Sequence, residues 1–409
     1  MTYLRSLALL VVCCPLAVAA DWPQWLGPDR NGATSETIAP WKKAPRVVWR
    51  HTTGEGHSSP VVAGGRVLLH TKVKDQNEEQ LTAYDARTGK RLWRAAYARG
   101  SFSSIFGNGP RATPVISGDR VYTNGATGIL TCFDARTGQK VWQVDTLAKF
   151  RAPNPKFGIS CSPLVEGNQV LVNVGAKGAS IVAFDKDTGD VVWKSLDDPA
   201  SYSSPIALGR GKGRQVIFVT ARGVRSLSPS DGSLFWKFRM VDLLNESSTT
   251  PVRVRGLIVA GSVTYGSVGL ELKAENGKPA GTEAWKNAAL TCYFSTPVPA
   301  GKGDLYMVTG TVLPPYQATL RCVDAATGKE RWQRGRVGKY HAALVRTGDG
   351  KLLMLEDGGE LVLLDPDPRG YRELARSKVC GETWAHPALS DGHLYVRDDK
   401  ELICLGLAR

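Results

Sequence analysis

The chain has 409 residues, a formal charge of +14 and 42% hydrophobic residues. That apolar fraction excludes a disordered chain, and the length suits two or three ordinary domains or one large repeat-built domain. The 44 glycines and 23 prolines favour many short strands and turns over long helices.

Residues 1–20 differ from the rest. Arg5 is their only charge, residues 7–12 are an apolar run, and small residues stand at 17–20. This pattern reads as a secretory signal peptide cut after Ala19 or Ala20. The run is too short to span a bilayer, and no later segment approaches about 20 apolar residues. The protein is therefore expected outside the cytoplasm, in the periplasm or beyond, with an outer-membrane association open. An exported basic chain suits an anionic membrane surface, an acidic polymer or an acidic partner. Nucleic acid is not expected there. The basic run at residues 210–214 reads as a solvated hairpin turn.

Residues 21–44 form a leader segment. Residues 46–50, Arg-Val-Val-Trp-Arg, then read as a strand with no partner nearby in the chain. From there one pattern returns. It stands as AYDARTGKRLW at 83–93, CFDARTGQKVW at 132–142, AFDKDTGDVVW at 183–193 and CVDAATGKERW at 322–332. Strand-like stretches opening on Ser/Thr-Pro or a relative of it precede the copies, with prolines at 60, 114, 163, 205, 251, 297 and 387. A degraded start follows His341, making eight starts in all. A period in the forties with four β-like runs per unit predicts a β-propeller.

The first unit shows the four runs at residues 60–64, 66–71, 81–85 and 90–97. Their alternation has the period of a strand. Asp85 is placed to accept turn amides, and Gly89 supplies a positive φ. A tryptophan stands eight residues after the Asp in the intact copies, as Trp93, Trp142, Trp193 and Trp332. Trp236 and Trp285 hold the same place in two degraded copies, and residues 46–50 carry Trp49. These seven rings are expected to dock between neighbouring sheets. The repeated stretch is thus architecture, not catalysis. The last unit stops after its third strand, so residues 46–50 are expected to complete it and close the ring. The prediction is an all-β fold, an eight-bladed propeller of four-stranded antiparallel blades over residues 45–409.

The AxDxxTGKxxW stretch, its tryptophan and the Ser/Thr-Pro start together resemble the PQQ-like (quinoprotein-type) β-propeller repeat, over about residues 45–405. The opening DWPQWLGPDRNG at 21–32 is similar to leaders that precede such propellers in exported bacterial proteins. The resemblance implies the fold strongly and the function weakly, because the family mixes quinone-dependent dehydrogenases with ligand-free scaffolds of the BamB type. A dehydrogenase of that family implies a calcium or lanthanide site, a catalytic Asp and often a vicinal disulfide. The only adjacent cysteines are Cys13 and Cys14, inside the signal segment, and no CxxCH haem motif is present. Cys132, Cys322 and Cys404 occupy small strand positions and read as buried thiols. A Cys292–Cys380 disulfide is the one pairing considered.

Propeller topology puts the loops leading into the first strands, and those between second and third strands, on one face. From these, Arg111, Lys156, Arg222, Glu246 and Trp384 are the candidates for a ligand or cofactor. His57, His341 and His386 precede the first strands of three units that closure makes consecutive, so they are the candidates for a metal. The favoured reading is an exported binding or scaffold module with protein partners in the envelope, without catalysis or cofactor. One alternative is a PQQ-dependent redox enzyme assisted by calcium. Another is a polymer- or carbohydrate-binding propeller using Tyr202, Tyr293, Tyr316 and Trp384.

Overall fold

The computed structural model describes residues 21–407, apart from 276 and 312. The signal-peptide reading of residues 1–20 lies outside the described residues. Eight sheets, each of four antiparallel strands, stand around an axis as the blades of a propeller. Blade 1 runs from Val61–Ala63 to Arg91–Ala98, and the following six blades repeat its order along the chain. In blade 8, Ala388–Ser390, His393–Arg397 and Glu401–Gly406 are joined by Arg46–Thr52 from the start of the chain. That strand pairs antiparallel to Glu401–Gly406, so N- and C-terminal strands share one sheet and no edge is left at the seam.

The repeated motif owes its composition to contacts between blades. Trp49 donates its indole N–H to the Ala86 carbonyl in the turn of the next blade, at 3.0 Å. Trp93 reaches Ala135 in the same way, Trp142 reaches Lys186, Trp193 reaches Pro229 and Trp285 reaches Ala325. Each acceptor directly follows the Asp, or the Ser that replaces it, of the neighbouring turn. The same ring covers that turn's glycine. A Cβ on Gly89 would stand 2.7 Å from the Trp49 ring, and one on Gly189 would stand 2.8 Å from Trp142. Gly89 also sits at φ +74°. Positive φ and a ring overhead both demand glycine there. Trp332 follows the rule loosely, bonding Asp367, and Trp236 departs from it, bonding Gln215 of its own blade. The Trp236 ring still lies against a glycine of blade 5, Gly281.

A small residue faces each tryptophan across the sheet. Ala83, Cys132, Ala183 and Cys322 pair with Trp93, Trp142, Trp193 and Trp332, and Cys404 pairs with Trp49. Blade 7 inverts the pair: Ala375 replaces the tryptophan and Leu363 replaces the small residue. Volume is conserved at the blade interface, as close packing requires. The cysteines therefore serve as small apolar fillers. All six in the described residues are buried free thiols, so the Cys292–Cys380 disulfide is not formed. Burial pushes the Cys132 thiol up to about 12 and that of Cys322 to about 11.

The Ser/Thr-Pro starts have their own purpose. Around the axis, the backbone N–H of one start donates to the hydroxyl of the next. His386 N–H reaches Ser59 Oγ, Ser59 reaches Thr113, Thr113 reaches Ser162, and Ser162 reaches Ser204, at 2.9–3.1 Å. The first bond of this chain crosses the seam between blades 8 and 1. Proline has no N–H to compete for these acceptors.

Among the described residues, no helix is long and apolar enough to cross a membrane. The basic run at 210–214 is a short 3-10 turn, Gly211–Gly213, between two strands of blade 4. There Arg214 makes a two-pronged ion pair with Glu166 of blade 3.

Candidate functional site

The leader decides what the axis can do. Trp22, 1% exposed, pairs by two 2.8 Å backbone bonds with Val62 of blade 1. Pro23 then accepts from Ile116 of blade 2, and Arg30 donates to the Ser162 and Pro163 carbonyls of blade 3. Further on, Gly32 and Thr34 bond Arg346 of blade 7, and the Glu36 carboxylate accepts from the Asp391 and Gly392 amides of blade 8. The leader thus crosses the ring along the inner strands. Its Trp25 donates to Thr250 Oγ1 at 2.8 Å and packs edge-on against His386. The axis is therefore blocked from one side, and Trp25 forms part of a floor.

Above that floor lies a cavity of about 130 Å³. Phe106, Phe157, Tyr202, Phe294 and Trp384 wall it, with Ser160, Ser162, Ser204 and Ser248 low on its sides. Arg111 and Glu246 supply its charges, and His57 its remaining polar edge. Trp384 is the hub of the rim, with ring centroids of Phe294, Phe106, His57 and Tyr340 at 5.1–5.6 Å. Beyond it opens an outer recess of about 580 Å³ that shares His57, Phe106 and Trp384 with the inner cavity. Glu55, Asp357, Glu382 and Asp399 line the outer recess, together with Lys339.

Of the ligand candidates, the structure brings Arg111, Glu246 and Trp384 to the inner cavity. Lys156 and Arg222 lie elsewhere. Lys156 stands over the Phe157 ring, at 5.0 Å, and lines a neighbouring groove. Arg222, with a side chain 61% exposed, faces Asp198. Arg111 is committed to its own loop: it donates to the carbonyls of Gly109 (2.7 Å) and Gly107 (2.8 Å) and lies on the Phe102 ring. Burial lowers its guanidinium to about 10. Glu246 accepts from the Tyr293 hydroxyl.

The three histidines do not assemble as metal ligands. Among the described residues, no group of three or more His, Cys, Asp and Glu side chains is placed to hold an ion. His57 Nε2 faces the Phe106 carbonyl at 2.6 Å, so it carries the proton a metal would displace. His341 Nδ1 is on Ser295 Oγ at 2.8 Å. His386 faces two carbonyls, Leu344 at 3.0 Å and Pro387 at 3.1 Å. A neutral ring has one N–H for these two acceptors, yet burial outweighs the second carbonyl and holds the ring neutral. Burial lowers all three histidines to about 4. They are built into the wall as neutral hydrogen-bonding spacers.

Sequence reasoning missed Trp25, Phe106, Phe157 and Phe294 as site residues. Trp25 lies outside the repeat, and the phenylalanines lie in loops whose course no periodicity defines.

A family profile described as outer membrane protein assembly factor BamB matches residues 33–105, 77–333 and 316–406. The chain belongs to this PQQ-like propeller family. A comparison with curated protein sequences finds no match. Among solved structures, this PQQ-like propeller is similar to quinohemoprotein alcohol dehydrogenase from Comamonas testosteroni, with TM-score 0.69, 14% identity, and coverage of 95% of this chain and 81% of that one. BamB from Moraxella catarrhalis gives TM-score 0.62 at 16% identity, covering 88% of this chain and 97% of that one. A europium-containing methanol dehydrogenase gives TM-score 0.67 at 14% identity, covering 94% and 89%. At these identities the likeness is one of fold.

PQQ, a tricyclic quinone with three carboxylates, does not fit the inner cavity. The inner cavity is well below the roughly 300–1,000 Å³ of ordinary cofactor sites. Its one guanidinium already serves three carbonyls of its own loop, those of Phe106, Gly107 and Gly109. Glu246 would add repulsion.

Proposed function

We propose that this PQQ-like propeller is a binding module of the bacterial envelope that holds a partner protein at its mouth face. The observation that carries this reading is the blind, aromatic-walled recess with exposed apolar side chains around it. Ile105 (85% exposed), Leu243 (82%) and Leu313 (73%) all stand on loops of that face. Leu244 (46%) adjoins Leu243 on the same loop, whereas Leu92, Val141 and Val192 lie beside the docking tryptophans on outer strands, where the blade edge explains them. Apolar tips on loops above a rigid ring are the usual make-up of a protein-contact surface.

A photo-crosslinking residue placed at Leu243 is expected to capture an envelope protein in cells, and the same residue at Leu92 is not. Capture from Leu92 but from no mouth position would overturn the reading. The quinoprotein alternative is tested by calorimetric titration of residues 21–409 with PQQ and Ca²⁺. No saturable heat is expected, and micromolar binding would replace the scaffold reading with a redox one.

A further inference from the structure

We propose that the mouth recognises a basic segment of a protein, with one lysine or arginine side chain inserted into the inner cavity against Glu246. This rests on the docking reading above and names the chemistry of the docked segment. Volume comes first. About 130 Å³ is close to the roughly 150 Å³ that holds one benzene. The cavity therefore takes a single side chain, not a whole cofactor or a sugar chain.

Charge comes second. A group entering the cavity meets the rings of Phe157, Tyr202, Phe294 and Trp384. Aromatic faces attract cations, the more strongly when the pair is shielded from water. The guanidinium of Arg111 is turned into its own loop by hydrogen bonds to the Gly109 and Gly107 carbonyls. The carboxylate of Glu246 is held in place by Tyr293. The inserted group thus meets rings and one anchored anion, opposed by the Arg111 charge, whose N–H donors are turned away into its own loop; the rings and Glu246 together favour an alkylammonium or a guanidinium.

The outer recess extends the same preference. Its four carboxylates, Glu55, Asp357, Glu382 and Asp399, outnumber the cations beside them, Lys339 on its wall, Lys72 against Glu55 and the buried Arg397 near Asp399. The chain as a whole carries +14. The mouth is therefore an acidic opening in a basic protein, and such an inversion steers a basic segment there and repels acidic ones. Burial, partly opposed by Arg397, and then the carboxylates of Asp398, Glu382 and Glu55 push the Asp399 carboxyl up. A cation in the recess would relieve that crowding. The recess shares Trp384 with the inner cavity, so neighbouring basic residues of one segment reach both.

The test titrates the purified chain with acetyl-tetralysine amide, acetyl-tetraglutamate amide and a neutral oligosaccharide, followed by tryptophan fluorescence and calorimetry. Saturable binding of the lysine peptide alone is expected, weakening as salt rises. Glu246→Gln should weaken it at least 10-fold with an unchanged melting temperature. Trp384→Phe, which keeps a ring at the rim, should weaken it less. Binding of the oligosaccharide alone, no binding of the lysine peptide, or binding unchanged by Glu246→Gln would each overturn the proposal. Crosslinking from Leu243 that persists undiminished in Glu246→Gln would overturn it too, while leaving the docking reading in place.

Discussion

On the face that carries the DxxTG turns, blade after blade repeats the chemistry of its neighbour. Trp93 rests on the turn of blade 2 much as Trp142 rests on that of blade 3, and the Asp of each turn accepts from the Thr three residues on. On the mouth face the loops differ from blade to blade. One carries Phe106, another Phe157, a third places Glu246, and blade 8 supplies Trp384. The turn face is under one constraint, copied around the ring: a tryptophan, a glycine below it and a small residue opposite. The mouth face is under no shared constraint, so its loops are free to build one composite recess. Symmetry makes the ring, and its loss at one face makes the site.

The sharpest way to break this comparison is to cut a docking ring. Trp142 is 8% exposed, and burying such a side chain removes about 150–250 Å² from water. Trp142→Ala should cost roughly 3–5 kcal/mol, seen as a large drop in melting temperature by scanning calorimetry. Trp384→Ala at the mouth should lower melting less, because that ring is partly exposed and packs only against loop side chains, not between two sheets.

Acid separates the faces next. His57, His341 and His386 are held neutral by burial, at about 4 in the fold against 6.5 outside it. Their contribution is present above pH 6.5 and is lost as pH falls from 6.5 towards 4, because the unfolded chain takes up protons that the fold refuses. Asp85 and Asp134 on the turn face are lowered below 3.8, first by the hydroxyls of Thr88 and Thr137 and then by turn amides. Their contribution is lost only below about pH 3.8. Melting temperature followed from pH 7 to 4.5 should therefore fall, and a His341→Gln, His386→Gln double variant should flatten that slope. A fall confined to pH below 4 would refute the assignment.

Smaller effects sharpen the picture. Gly138→Ala places a Cβ at φ +75° against the Trp93 ring. A cost of about 1–3 kcal/mol is expected from the backbone alone. Gly118→Ala, also at positive φ but with open space around it, should show the smaller loss of the two. Thr250→Val removes the acceptor of Trp25 and should cost roughly 1–3 kcal/mol. Its effect should be read most clearly as a change in Trp25 fluorescence at the floor of the recess.

Much of this was legible in the chain. The blade number, the closing strand at residues 46–50 and the seven tryptophans follow from a pattern that recurs within a few dozen residues, so local spacing is enough to read it. Cys132, Cys322 and Cys404 could be placed as small fillers because their positions align with Ala83 and Ala183. The mouth was legible only in part. Arg111, Glu246 and Trp384 were picked out by their loop positions, but so were Lys156 and Arg222, which point away from the cavity. A loop's place in the topology says which face it joins and not which way its side chains turn. The histidines show the same limit: consecutive units set them near one another, while backbone carbonyls and Ser295 took their nitrogens.

What the sequence by itself determined, then, is the ring. Its turns, docking tryptophans and Ser/Thr-Pro starts are short-range signals, each satisfied by the identical signal in the next blade. What only the tertiary structure decided is the site. Trp25 becomes a floor because the leader crosses the ring to bond blades 1, 2, 3, 7 and 8. The aromatic walls and the acidic recess come from loops far apart in the chain, brought together by closure. Such contacts depend on the sum of all the blades, and no local pattern in the residues encodes that sum.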